Sequence, residues 1–286
     1  MFIDNLQLAL FSKCVQDYPL EKLAQCLKQM GIKFLDLTVR PGGHVEPEQV
    51  EEQLPAIHGK LLSAGISINM ITTNILDASD KLTEKILRTT AALGIKYYKL
   101  GYFRYEGLGT LLKQREEIKK RVEELSSLNN EIGIHGGFHN HSNDFFGASL
   151  WDVCYVIKDT NPAAIGVYFD PAHAVIEGGS CGWKMAMDLL ADRITMLAVK
   201  DFRWLDNKTG YAGARRHSIE ICPFSEGNVP WHEVLQMLKK INFSGPVSIH
   251  SEYSDFSRFK DFTTEGILEQ TEKDIAFLKA RIKEVN

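Results

Sequence analysis

The stretch Ile132-Gly-Ile-His-Gly-Gly-Phe-His-Asn-His-Ser142 decides how this chain is read. Small and apolar residues lead into His139 and His141, two positions apart. In a strand alternate residues share a face, so both imidazoles point the same way. The design recurs along the chain. Ile165-Gly-Val-Tyr-Phe-Asp-Pro-Ala-His173 ends in Asp170 and His173. Met196 to Asp201 ends in Lys200-Asp201, and Val247 to Glu252 ends in His250 and Glu252. Four apolar strands thus end in metal-ligand or acid/base side chains. That pattern implies a catalytic site at one end of a parallel barrel.

Outward from this stretch, strand and helix alternate. Strands are read at Leu6–Phe11, Phe34–Val39, Ile66–Ile71 and Tyr97–Gly101, then at the His-Asn-His segment, after Pro162, at Ile194–Val199 and at Pro246–Ile249. Helices are read over Leu20–Met30, Pro47 to near Gly65, Asp80–Leu93, Thr110–Leu128, from Ser149, near Trp183–Leu190, over Trp231–Ile241 and over Glu265–Lys283. Gly31 and Gly94 stop two of them. Pro47 followed by Glu48, Glu51 and Glu52 marks a helix start, where proline and acidic side chains are favoured. Phe202–Pro230 reads as the longest irregular segment. Strands alternating with helices imply a parallel sheet, and eight such units imply closure. The expected fold is α/β, a (β/α)8 TIM barrel with parallel strands, in a single domain over residues 1–286. A doubly wound open sheet is the competitor, but no Gly-rich dinucleotide fingerprint separates a strand from a helix. Gly210-Tyr-Ala-Gly-Ala214 is read as part of a loop.

The bulk numbers agree with that frame. A chain of 286 residues suits a barrel, which typically takes ~250 residues. The hydrophobic share of 44% and charged share of 24% are those of an ordinary globular enzyme. A formal net charge of −4 offers no electrostatic footprint for nucleic acid or a membrane surface. The five cysteines are scattered without a Cys-x-x-Cys pair. They fit small buried residues in a reducing compartment. No apolar run approaches the ~20 residues that span a bilayer. Leu6–Phe11 is too short for a signal-peptide core. A cytoplasmic location is expected, with a periplasmic one left open.

The strand ends nominate the site residues. Asp36, Thr38 and Arg40 share one face, so Asp36 is a buried carboxylate needing a partner, with Arg40 or Lys99 as candidates. Arg40 and His44 suit a grip on a substrate phosphate or hydroxyls. Asp170, placed straight after an apolar strand, is explained economically as a metal ligand. His139, Asp170 and His250, with Glu252 nearby, form an imidazole and carboxylate set that suits Mn, Fe, Co or Zn. Lys200 is either a cation paired with Asp170 or Glu252, or functional, as a substrate-binding cation or a base with depressed pKa. Asp201 is expected to point outward in a structural role. Tyr102, Phe103, Tyr105, Phe202, Trp204 and Trp231 divide between core packing and sugar stacking, with Trp204 nominated for substrate.

At these residues the chain resembles the xylose-isomerase-like barrel superfamily of sugar phosphate isomerases and epimerases. The resemblance covers nearly the whole length. It rests on Phe138-His-Asn-His141, Phe169-Asp-Pro-Ala-His173, Val199-Lys-Asp201, Gly227 with Trp231, and Gly245-Pro-Val247 leading to Glu252. Leu37-Thr-Val-Arg-Pro-Gly-Gly-His44 resembles one branch. The resemblance implies one divalent metal held by Glu, Asp, His and Glu. Asp170 matches the strand-six ligand and His173 a substrate-contacting histidine. The other positions depart: His139 and His250 stand where the family has Glu, and Ala198 where it has His. The frequent dimers and tetramers of the superfamily allow a homo-oligomer.

The expected function is a metal-dependent sugar or sugar-phosphate isomerase or epimerase acting through an enediolate. A metal would act as Lewis acid, and Lys200, Glu252 or His141 would move the proton α to the carbonyl. The rivals are a keto-sugar or keto-glycoside lyase or dehydratase and a sugar-binding protein that lost catalysis. A multi-zinc DNA-repair endonuclease is disfavoured by charge and by too few ligands.

Overall fold

Eight apolar runs pair side by side into a closed ring. They are β1 (Gln7–Phe11), β2 (Phe34–Val39), β3 (Ser67–Thr73), β4 (Tyr97–Lys99), β5 (His135–His139), β6 (Ile165–Phe169), β7 (Ile194–Val199) and, last in the chain, β10 (Pro246–Ile249). All pairings in the ring are parallel, and β10 closes it between β7 and β1. The computed structural model describes residues 6–207, 216–253 and 256–285.

Parallel strands buried on both faces read as near-continuous apolar runs, because helices cover the outside. The helices are α1 (Leu20–Gln29), α2 (Val50–Ser63), α3 (Lys81–Ala92), α4 (Leu111–Ile132), α5 (Leu150–Ile157), α6 (Pro171–Gly178), α7 (Gly182–Leu189), α8 (Trp231–Lys240) and α9 (Thr264–Glu284). Each turns an apolar stripe inward, as α1 does with Leu23, Ala24 and Leu27. The core therefore has two parts. Leu35, Leu37, Ile71 and Val167 belong to the shell between strands and helices. Met70, Tyr168, Met196 and Ala198 form a separate cluster. Gly137 makes room for Met196, since a Cβ there would lie 1.8 Å from its Cε.

The segment Phe202–Pro230, expected to be irregular, is corrected. It contains an antiparallel hairpin of β8 (Asp201–Asn207) and β9 (Arg216–Cys222), in register from Asp201↔Cys222 to Asn207↔Arg216. Gly210–Ala214 lies outside the described residues. Helix α6 was also not anticipated; Asp170 caps it and Pro171 opens it. Among the described residues no helix is long and apolar enough to cross a membrane.

Candidate active site

Because all eight ring strands run parallel, their C-terminal ends share one rim. Phe11 ends β1, Lys99 ends β4 and His139 ends β5. Asp170, Lys200 and His250 each follow one residue after β6, β7 and β10. A cavity of about 120 Å³ opens among them. Of the residues nominated from sequence, Arg40, His139, His141, Lys200, His250 and Glu252 line it. Phe11, Lys13, Thr72, Lys99 and Tyr102 complete the lining.

Asp170 is the hub. Asn140 fixes its backbone, donating from Nδ2 to its carbonyl at 3.0 Å and accepting its N–H at 2.8 Å. Asp170 Oδ1 accepts the N–H of His173 at 3.0 Å, the N-cap bond of α6. Oδ2 faces His139 Nε2 at 3.3 Å, Lys200 Nζ at 3.3 Å and His173 Nε2 at 3.7 Å. Lys200 also reaches Glu252 Oε2 at 3.3 Å, and Lys13 holds Glu252 Oε1 at 2.9 Å. Burial works to raise the Asp170 carboxyl, but Lys200, His173 and His139 outweigh it and hold it well below the usual range. Burial works to lower Lys200, but Asp170 and Glu252 outweigh that, and its pKa is raised. Lys200 is thus an ammonium ion. The ion pairs expected from sequence are present, and the raised pKa opposes the reading of Lys200 as a base with depressed pKa.

His139, His141 and His173 are held toward the neutral form. Burial pushes His139 down to about 3 and His141 down to about 4. A carboxylate can only accept, so His139 carries its proton on Nε2 toward Asp170. Its Nδ1 then accepts from the Tyr102 hydroxyl at 2.8 Å. His141 Nδ1 bonds the Ser142 carbonyl at 2.8 Å, which makes Nδ1 the donor and leaves Nε2 with its lone pair. His173 Nδ1 meets Ser142 Oγ at 2.8 Å, and its Nε2 has no hydrogen-bond partner. His250 stacks on Phe11 and engages the Tyr168 hydroxyl through Nε2 at 2.7 Å.

These bonds test the metal expectation, and the donor set does not fit. His139 commits Nε2 to Asp170 and Nδ1 to Tyr102, while His250 commits Nε2 to Tyr168. Among the described residues no group of three or more His, Cys, Asp or Glu side chains is arranged to hold an ion. The Lys200 ammonium lies against Asp170 and Glu252, the carboxylates that a metal at this rim would need.

Three residues nominated for substrate do not line the cavity, and His173 among them lies behind it against Asp170 and His141. His44 bonds Thr38 Oγ1 through Nδ1 at 3.0 Å and does not line the cavity. Trp204 rides outward on β8, 43% exposed, with its ring against Phe202 and His217. Asp36 is buried but not ion-paired. It accepts from Thr72 Oγ1 at 2.8 Å and Ser248 Oγ at 2.7 Å, and burial raises its pKa. Asp201 is structural, as expected, though buried. It accepts from Phe202 N, Val229 N and Trp231 Nε1, and burial lifts it to about 7.

Lys99 and Tyr102 are the lining residues that sequence reasoning undervalued. Lys99 Nζ sits 3.3 Å from the Tyr102 ring centroid. Burial and then Arg40 lower its pKa well below the ordinary value; Asp36 and Glu252 pull the other way, and Lys200 adds the smallest push downward. The signal was present: Lys99 ends an apolar strand, as Lys200 does.

The model for the xylose isomerase-like TIM barrel family matches residues 2–281, and the chain belongs to that family. No curated protein matches the sequence. Among solved structures, the chain is similar to D-psicose 3-epimerase with D-tagatose from Clostridium cellulolyticum H10. Identity is 12%, coverage is 96% of this chain and 99% of that one, and the TM-score is 0.68. The same four values describe its likeness to 3-keto-D-glucoside 4-epimerase from E. coli. A xylose isomerase-like TIM barrel protein from Mycobacterium smegmatis in complex with magnesium is 14% identical, with coverage of 94% and 92% and a TM-score of 0.66. At such identities the likeness is one of fold.

Proposed function

We propose that this chain is a sugar isomerase or epimerase that moves a proton on the carbon next to a carbonyl. The observation that carries the reading is the Lys200–Glu252 pair, an ammonium and a carboxylate 3.3 Å apart and both lining the cavity. Glu252 takes the proton α to the carbonyl. Lys200 balances the negative charge that develops on the enediolate oxygen, in a site where burial strengthens electrostatics. Asp170, behind Lys200, keeps that ammonium charged and aimed. A substrate oxygen that takes over part of Lys200's bonding loosens its hold on Glu252 and makes the carboxylate more basic. Reprotonation at the neighbouring carbon gives an isomer. Return of the proton on the opposite face, with His141 as the second acid/base group, gives an epimer.

The epimerase names among the similar structures support the same chemistry. The metal dependence expected from sequence, and suggested by the magnesium complex, is not part of this reading, because the donors here do not converge. The partner is a small carbohydrate. The test is a panel of ketoses and keto-glycosides incubated in D2O and followed by NMR and mass spectrometry. Deuterium appearing next to the carbonyl, with the mass otherwise unchanged, is expected. Loss of water or aglycone overturns the reading in favour of a lyase. Saturable binding without exchange across the panel overturns it in favour of a sugar-binding protein.

A further inference from the structure

Lys99 closes β4 and lines the cavity with its side chain almost wholly buried, at 2% exposure. Its Nζ has no hydrogen-bond partner and lies against the face of Tyr102. A buried ammonium with no hydrogen bond, and only a ring face to offset its charge, is costly. Asp36, whose charge reaches it, spends both oxygens on Thr72 and Ser248. Arg40 is the strongest charge acting on it and disfavours the ammonium, while Asp36 and Glu252 pull the other way and Lys200 adds a smaller push with Arg40. Desolvation and nearby cations are the conditions that leave a lysine as a neutral amine with a free lone pair. Lys200, held by two carboxylates, is in the opposite state.

We propose that Lys99 is a catalytic residue that forms a Schiff base with the carbonyl carbon of the sugar. The amine lone pair adds to that carbon, and the N–H proton passes to the oxygen. That hydroxyl takes a further proton from solvent and leaves as water as the C–O bond breaks, leaving a protonated imine. One C–N bond forms, one water leaves, and no oxidant or reductant is used. The iminium draws electrons from the adjacent carbon, so Glu252 removes its proton to give an enamine in place of an enediolate. Lys200 then pairs with the hydroxyl next to the imine. Electrophilic activation of the carbonyl is thereby supplied by the chain itself.

This step rests on the reading of the cavity as a carbonyl-sugar site, and its test separates the two. The protein is incubated with D-fructose or dihydroxyacetone and sodium cyanoborohydride, which reduces the imine to a stable amine. Intact mass and peptide mapping locate the adduct. A stoichiometric adduct on Lys99 is expected, and none at that position in Lys99→Met, which keeps the chain length of the side chain without the amine. Mapping in the wild type needs no variant to fold. Adducts confined to exposed lysines such as Lys113 and Lys120 overturn the proposal. Deuterium exchange on the same sugars without an adduct at Lys99 overturns the Schiff base and leaves the proton-transfer reading standing. An adduct at Lys99 without exchange supports the Schiff base and overturns that reading.

Discussion

Lys99 and Lys200 both stand at the ends of apolar strands of one barrel, yet their surroundings shift their pKa values in opposite directions. The difference is the counter-ion: Lys200 has Asp170 and Glu252, while Lys99 has the Tyr102 ring. Asp170→Asn tests this at a single atom's expense. Asparagine still caps a helix well, so α6 keeps its N-terminal bond. The loss then reports the missing charge. Breaking a buried pair costs about 3–5 kcal/mol, and urea unfolding of the variant is expected to show a drop of that order. A drop below about 1 kcal/mol, the size of an exposed pair, would mean that Glu252 alone suffices for Lys200. The neutral histidines set a pH dependence. His139, His141 and His173 have folded pKa values below the unfolded value of about 6.5. Below that pH the unfolded chain takes up protons that the folded site refuses, so stability falls as pH drops from about 6.5 toward 4. Asp170 and Glu252 are depressed as well. Their contribution is complete above about 4 and is lost only as pH falls through their lower folded values. The urea midpoint should therefore start to fall near pH 6.5, a fall partly offset by Asp201 and Asp274, whose carboxyls burial lifts to about 7 and about 6 and which take up protons in the folded state. An NMR titration of the folded protein showing these imidazoles protonated between pH 6.5 and 4.5 would overturn the prediction.

At the scale of elements, the hairpin β8–β9 shows both what sequence could reveal and where it stopped. Gly227 and Trp231 were recognised as a motif, and their reason is now physical. Asp201 binds Trp231 Nε1 at 2.8 Å and Val229 N at 3.0 Å, and a Cβ on Gly227 would lie 1.9 Å from Asp201 Cγ. Gly227→Ala must push that carboxyl off its donors or displace the backbone after β9. Overpacking of this kind costs about 1–3 kcal/mol, and the melting temperature should fall accordingly; an unchanged value would show that the loop yields freely. Strands β7 and β10 were legible to the residue, because Ile194–Val199 and Pro246–Ile249 are mostly apolar, each broken by a single hydroxyl residue, and are bounded by polar or Gly residues. The hairpin was not. Arg203 pairs with Glu220 and Trp204 faces outward, so β8 lacks a clean apolar side, and eight residues separate its strands instead of a two-residue turn. Helix α6 was announced by Asp170-Pro171, a capping residue followed by proline at the first helical position. The same carboxylate was read as a metal ligand, and that reading hid the cap.

At the scale of the whole molecule, the ring explains why the location of the site was legible while its wiring was not. Period-two patterns place side chains on a rim, but barrel closure decides which of them meet. Asp36 bonds Ser248 and Lys13 bonds Glu252 only because β1 and β10 become neighbours. Lys200 in turn links the ends of β6, β7 and the segment after β10 through Asp170 and Glu252. A divalent metal at this rim would compete for those same carboxylates. Binding to the folded state at a hundred times Kd adds about 2.7 kcal/mol. At about 2–4 °C per kcal/mol for a chain somewhat smaller than this one, that is a shift of several degrees. Wild-type protein is expected to show no such shift with millimolar Mg2+, Mn2+ or Co2+, and none with a chelator. Lys200→Met should behave differently. It leaves two carboxylates facing each other without their ammonium, so the variant is expected to melt lower and to regain part of the loss when Mn2+ is added. A rise of several degrees in the wild type would restore His139, Asp170 and His250 as a ligand set. It would also show that Lys200 swings aside to admit the ion. A variant unmoved by Mn2+ would mean that the space left by the ammonium is closed by repacking around Ala198 and Tyr168.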